Sequence, residues 1–247
     1  MISIKSYGSG SKGNLYLAST PNTNIILECG IPKPNMLSFF NQNKLNRKNI
    51  NAVFTTHSHT DHSLNIKYFD DYNIKCYTTY ETYLKYDISN DNFVRLEDNK
   101  IYKINDIQIL SFSVNHGKTD CYGFILKDKD DIVLFITDFM ECKKSLKKFK
   151  FTQIFIECNY LVENWSHNSN EEDLNEELTK KYKRQLNTHM SLDNLLIHLD
   201  NMDLSRCKKI SLIHVSEDLG DRDIMKNKII DRYNINCVAL LSDGKEY

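Results

Sequence analysis

His57-Ser58-His59-Thr60-Asp61-His62 places three imidazoles and a carboxylate within six consecutive residues, directly behind the apolar run Ala52-Val53-Phe54. Histidine is scarce elsewhere, at 8 in 247 residues, so this density is not an effect of composition. On an extended segment alternate side chains share a side, which lets His57 and His59 grip one metal ion. The next turn of chain offers Asp61 and His62 to a second ion. Neutral imidazole and carboxylate suit zinc, iron or manganese rather than calcium. A solvated polar loop after a strand does not account for the spacing H-x-H-x-D-H, which is one of the more specific short signals a sequence carries.

Further ligands are sought where acids and histidines close apolar strands. His116 follows the strand Ile107 to Val114, in Val114-Asn115-His116-Gly117. Asp138 closes Ile132-Val133-Leu134-Phe135-Ile136-Thr137, and His214 closes Ile210-Ser211-Leu212-Ile213. Alone, each has a plain reading: a core histidine bonded to backbone, a turn residue, a polar strand end. Strand ends gathered at one rim would bring all three to the histidine cluster. His198, inside a helical pattern, and His167, in a polar loop, are not expected to ligate.

Composition bounds the remaining choices. A chain of 247 residues, 40% hydrophobic and 26% charged, fits an ordinary globular protein able to bury a sizeable core. No apolar run approaches the length of a bilayer span. The start, Met1-Ile2-Ser3-Ile4-Lys5-Ser6, lacks the apolar core of a signal peptide and reads as a strand, so the expected location is the cytoplasm. The 7 cysteines are odd in number and form no C-x-x-C pair, which argues against a disulfide framework or a zinc ribbon. Cys29, Cys121, Cys158 and Cys237 are expected as reduced core residues. With 32 basic and 33 acidic residues the formal charge is −1, unlike proteins that track long polynucleotides on a basic stripe. One local exception, Lys143-Lys144-Ser145-Leu146-Lys147-Lys148, reads as a solvated surface helix.

Strands are expected over Ile2–Tyr7, Asn14–Ala18, Asn24–Leu27, Ala52–Thr55, Ile74–Tyr77, Ile107–Val114, Tyr122–Leu126, Ile132–Thr137, Ile154–Glu157, Ile210–His214 and Cys237–Leu241. Helices are expected over Pro34–Leu45, Tyr80–Tyr86, Glu171–Gln185, Leu192–Leu199 and Asp223–Tyr233. This order suggests two sheets packed face to face and covered by helices. The glycine-rich Gly8-Ser9-Gly10-Ser11-Lys12-Gly13-Asn14 lacks the G-K-[ST] ending of a phosphate loop and no helix follows it. It reads as a tight turn between the first two strands. The polar stretch Asn159–Asn170 holds the chain's single tryptophan, Trp165.

The order H-x-H-x-D-H, then histidine, then aspartate, then histidine resembles the metallo-β-lactamase superfamily, over nearly the whole chain. That resemblance implies an α/β fold, a four-layer αββα sandwich, as one domain spanning residues 1–247. It implies His57, His59 and His116 on one divalent ion, Asp61, His62 and His214 on another, and Asp138 bridging the two. The ions would be zinc, with manganese an alternative. Gly8–Asn14, Ile156-Glu157-Cys158-Asn159-Tyr160 and Ile213-His214-Val215-Ser216-Glu217-Asp218 are similar to the WalJ/YycJ-like branch. Thr188-His189-Met190-Ser191 resembles a histidine element shared with tRNA 3′-processing relatives, and those branches cleave phosphodiesters. Phage anti-Pycsar proteins, which resemble this branch, degrade cyclic mononucleotides.

The resulting expectation is a two-metal hydrolase that opens 3′,5′-cyclic mononucleotides to linear monophosphates, acting in a host cytoplasm if phage-encoded. Asp61 would orient or deprotonate the attacking water, and His189 would protonate the leaving oxygen. Tyr160 and Trp165 are candidate stacking surfaces for a base. A WalJ/YycJ-like DNA or RNA nuclease is the alternative, and a non-catalytic nucleotide-binding protein is another. A homodimer is expected by resemblance, with no interface signal in the sequence.

Overall fold

The structure, a computed structural model, describes residues 1–164 and 176–247. Trp165, His167 and the leading part of the helix expected over Glu171–Gln185 lie outside the described residues.

The first half of the chain builds one sheet. It contains β1 (Ser3–Gly8), β2 (Leu15–Thr20), β3 (Thr23–Cys29), β4 (Ala52–Phe54), β5 (Cys76–Thr78) and β6 (Phe93–Arg95), side by side in chain order. Between them lie α1 (Lys33–Gln42), α2 (Thr60–Ser63), α3 (Ile66–Asp71) and α4 (Tyr80–Tyr86). The second sheet holds β7 (Ile101–Ile104), β8 (Ile107–His116), β9 (Thr119–Lys127), β10 (Ile132–Ile136), β11 (Gln153–Glu157), β12 (Lys209–Ile213) and β13 (Asn236–Ala239), again neighbours in sequence order. Its helices are α5 (Glu176–Thr188), α6 (Leu192–Asp200) and α7 (Arg222–Tyr233). β7 to β10 form an antiparallel meander, and β10 to β13 are parallel.

Alternation along each strand sorts the side chains into layers. Ala52 and Phe54 face the second sheet, where they join Leu27, Phe124, Phe135 and Ile213 in the central core. Val53, between them, faces the other way and packs with Met36, Phe39, Phe40 and Phe69 under α1 and α3. On the far side Leu134, Ile136, Ile154 and Ile156 pack with Leu195 and Leu199 of α6 and Met225 and Ile229 of α7. Helix, sheet, sheet and helix are thus four layers enclosing three apolar strata, the αββα sandwich expected.

The direction of the strands positions the site. β10, β11 and β12 run parallel, so their C-terminal ends deliver Asp138, Glu157 and His214 to one rim. β8 is antiparallel to β9, which is antiparallel to β10, so β8 ends at the same rim with His116. Carboxyl ends of parallel strands are where open α/β sheets place their ligands.

Several elements differ from expectation. The strands β6 and β7 have only 3 and 4 residues and are organised by their neighbours rather than by local pattern. The short helices α2 and α3 are likewise set by tertiary packing. Lys143–Lys148 is not a helix but an irregular loop with one turn. Its single apolar residue, Leu146, is buried, and one anchor gives no stripe on which a helix could dock. Among the described residues no helix is long and apolar enough to cross a membrane.

One glycine joins the sheet to the histidine segment. Gly30 donates its amide to the Asn14 carbonyl at 2.9 Å, and a Cβ there would lie 1.8 Å from the Asp61 carbonyl oxygen and 2.4 Å from the His62 nitrogen. Gly30→Ala must therefore push the Asp61–His62 backbone away. Such overpacking costs about 1–3 kcal/mol. Denaturant unfolding should show that loss, and the purified variant should retain less metal. Wild-type stability together with wild-type metal content would contradict this packing.

Candidate metal centre

β4 ends at Phe54, and the chain bends through Thr56–Ser58 before α2 begins at Thr60. His57 and His59 therefore meet across a bend rather than along an extended strand, with ring centroids 4.5 Å apart. The bend is tied down: the Ser58 carbonyl accepts Lys85 Nζ at 2.6 Å and Ser63 Oγ at 3.1 Å. The first turn of α2 then turns Asp61 and His62 inward. Three residues at the site, Glu28, Asp138 and His214, sit at φ 61°, 50° and 53°. This left-handed backbone is disfavoured for residues with a Cβ and is held only where surrounding contacts determine it.

The expected ligands converge as two donor sets. His57, His59, His116 and Asp138 form one, and Asp61, His62, His214 and Asp138 the other, each with donor atoms within 4.8 Å of one another. Asp138 divides its oxygens between them. Oδ2 lies 4.0 Å from His57 Nε2 and 3.8 Å from His116 Nε2, while Oδ1 lies 3.3 Å from His62 Nε2 and 3.4 Å from His214 Nε2. Asp61 Oδ2 is 3.4 Å from His62 Nε2 and 3.6 Å from His214 Nε2.

These atoms fit cations better than one another. His57 Nε2 and His214 Nε2 are buried and have no hydrogen-bond partner among the described residues. Leaving such atoms unpaired costs about 1–3 kcal/mol each unless something else meets them. His59 Nδ1 and His116 Nε2 face each other at 3.4 Å, two imidazole nitrogens with their lone pairs to share. The opposite ring nitrogens are held by protein. His116 Nδ1 donates to the Thr188 carbonyl at 2.8 Å, His57 Nδ1 meets Thr56 Oγ1 at 2.9 Å, and His214 Nδ1 meets Glu157 Oε1 at 3.1 Å. Such partners fix the tautomer so that the inward nitrogen offers its lone pair.

Electrostatics divides the histidines. Burial holds His57, His59 and His116 below the ordinary imidazole range, keeping them in the neutral form that ligates. Burial also depresses His62 and His214, but carboxylates outweigh it: Asp138, Asp61 and Glu28 raise His62, and Asp138, Asp61 and Glu157 raise His214 to about 10. Burial pushes Asp138 up, yet the His214 and His62 imidazoles win and hold it well below the usual carboxylate range. Carboxylates thus gather around His62 and His214, where a divalent ion would take the place of the ring protons.

Sequence reasoning missed two buried acids. Glu157 Oε1 lies 2.6 Å from His189 Nδ1 as well as 3.1 Å from His214, and its Oε2 accepts the amides of Phe139 at 2.8 Å and Met190 at 3.3 Å. Glu28 accepts the Thr56 amide at 3.2 Å and stands 3.6 Å from His62 Nδ1. The available signal was an acid inside an apolar strand, Ile25-Ile26-Leu27-Glu28 and Ile154-Phe155-Ile156-Glu157, since a buried carboxylate needs partners. The Gly8–Asn14 turn is also more than a connection. Asn14 Nδ2 donates to the Asp61 carbonyl at 3.1 Å, and Ser9 Oγ accepts the His214 amide at 2.9 Å.

A cavity of about 400 Å³ opens over both donor sets, walled by Ser11, Lys118, Thr119, Arg184, Thr188 and His189. Tyr160 does not line it. The residue is 4% exposed and packs with Tyr182 and Leu219, so it serves the core rather than stacking on a ligand. His198 stands apart from the donor sets, on α6 against Phe139 at 5.9 Å. Adding Zn2+ or Mn2+ to metal-free protein should raise the melting temperature, by the equivalent of about 2.7 kcal/mol at a hundredfold excess over Kd. The gain should shrink in His57→Ala and in His214→Ala. Calorimetry showing no shift on metal addition would contradict a metal centre.

A family model described as the beta-lactamase superfamily domain matches residues 23–214. The exodeoxyribonuclease YycJ of Bacillus anthracis is 24% identical over 226 residues, covering 80% of this chain and 86% of that protein. Among solved structures, the metallo-β-lactamase fold protein YhfI of Bacillus subtilis aligns with a TM-score of 0.74 at 13% identity, covering 100% of this chain and 99% of that one. A diphosphatase from the PhnP family aligns with a TM-score of 0.68 at 14% identity, over 100% and 97% of the two chains. With the family match running from β3 to the end of β12, through every ligand candidate, the chain belongs to the beta-lactamase superfamily domain family and is a metal-dependent hydrolase.

Proposed function

We propose that the protein is a two-metal phosphodiesterase acting on a small phosphodiester, with 3′,5′-cyclic mononucleotides opened to linear monophosphates as the leading case. The observation that carries this reading is the carboxylate of Asp138, whose two oxygens face separate donor sets beneath a cavity of about 400 Å³. His57, His59 and His116 would hold one ion, Asp61, His62 and His214 the other, and Asp138 both. Two divalent ions, zinc or manganese, supply a nucleophile at neutral pH and offset charge that builds on the phosphoryl oxygens.

The chain's own groups do the rest. Asp61, with its side chain 27% exposed, is the ligand carboxylate that can also orient the attacking water and take its proton. His189 lines the cavity while Glu157 engages its Nδ1, so Nε2 is the atom that can donate to the leaving oxygen. Lys118, in the β8–β9 turn, and Arg184, on α5, are exposed at the cavity wall and make no ion pair among the described residues. They are suited to the non-bridging oxygens of a bound phosphate. A balanced net charge supports a small substrate rather than a long polyanion. The reading extends the resemblance to anti-Pycsar proteins, with action in the cytoplasm as a homodimer.

A second reading rests on the exodeoxyribonuclease relative, in which the same centre would trim DNA ends. Chromatography of metal-loaded protein incubated with cyclic mononucleotides, or with linear DNA, separates the two. Conversion of a cyclic mononucleotide by wild type, lost by about a thousandfold or more in folded Asp138→Ala, is expected. Lys118→Ala and Arg184→Ala should each raise KM about tenfold and leave kcat near wild type. Digestion of DNA ends without turnover of any cyclic nucleotide would favour the second reading. Full activity in Asp138→Ala would overturn both.

A further inference from the structure

The basic run Lys143–Lys148 has no part in the metal centre, yet its irregular path has a consequence. Leu146, 6% exposed, pins the loop into the core under β10 and β11. The lysines on either side are left around a separate cavity of about 360 Å³, where Lys143, Lys144 and Lys147 face Ile197, His198 and Met202. The opposite wall is the end of α6 and the turn behind it.

Three features give this cavity a ligand chemistry. First, its cations are not spent. Among the described residues, Lys143, Lys144 and Lys147 form no ion pair and no acidic side chain lines the cavity. Lys144 donates only to the Asn99 side chain and otherwise lies over the Phe112 ring at 5.8 Å. Glu141, two residues ahead of Lys143, is exposed and outside the lining. Second, the other wall offers apolar surface, from Ile197 and Met202, beside the Asn201 amide. Ile197 is 60% exposed, far above what an isoleucine on a docked helix needs, and Met202 is half-buried. Third, His198 belongs to that same wall, half-buried, with its ring against Phe139. Ammonium groups on one side and an apolar wall with an imidazole on the other match a molecule that carries phosphate at one end and a planar base at the other.

We infer that this cavity is a binding site for a nucleoside phosphate, distinct from the metal centre. Lys143, Lys144 and Lys147 take the phosphate, and Ile197, His198 and Met202 take the base.

Isothermal titration of metal-loaded protein with 5′-AMP tests it, with adenosine as the uncharged control. The metal centre can bind AMP as well, so variants of each cavity are compared. Lys143→Ala/Lys147→Ala should weaken one binding event at least tenfold, and Lys118→Ala/Arg184→Ala should leave that event unchanged. Adenosine should bind at least tenfold more weakly there, and the AMP affinity should fall as salt rises. Both lysines are exposed, so the melting temperature and the hydrolysis of bis(p-nitrophenyl) phosphate should stay at wild-type values. Identical isotherms for wild type and Lys143→Ala/Lys147→Ala, or no AMP binding outside the event removed by Lys118→Ala/Arg184→Ala, would overturn the assignment.

Discussion

The site depends on one buried charge, the carboxylate of Asp138. At 2% exposure it can stay ionised only if cationic or hydrogen-bonding partners surround it. Thr137 Oγ1 supplies one hydrogen bond at 2.9 Å, and five histidine nitrogens stand 3.3–4.0 Å away without closing on it. That spacing is too long for strong direct hydrogen bonds and leaves room for ions between the groups. The left-handed backbone at Asp138 swings the carboxylate into this position, and the surrounding fold holds it there.

The scaffold explains how residues so distant in sequence meet. Parallel strands β10, β11 and β12 present their ends together, and β8 joins them through the meander. The other sheet brings the histidine segment, whose backbone is braced by Gly30 and Asn14. A further shell of partners fixes each ring: Glu28 beside His62, Glu157 between His189 and His214, and the Thr188 carbonyl on His116. Metal affinity and ring orientation usually depend on such outer partners nearly as much as on the ligands.

Much of this was legible in the sequence, for physical reasons that can be named. His57 through His62 stood out because several ligating residue types crowd one short segment. His116, Asp138 and His214 stood out because polar residues closed strongly apolar strands. The four layers followed from strand runs with helices between them. What stayed hidden depended on tertiary contacts. Glu157 and Glu28 are not among the ligand candidates of the sequence, because their role rests on imidazole partners far away in the chain. Tyr160 was expected at a binding surface because it opens a polar loop, yet its ring fills a small core with Tyr182. Lys143–Lys148 was read as a helix from its charge pattern alone, although one apolar anchor cannot hold a helix on the core.

The most direct test of the account is anomalous diffraction from crystals of the zinc-loaded protein, measured at the metal's absorption edge. Two peaks about 3.5–4 Å apart are expected, one on each side of the Asp138 carboxylate. A single peak, or two peaks that Asp138 does not touch, would contradict it.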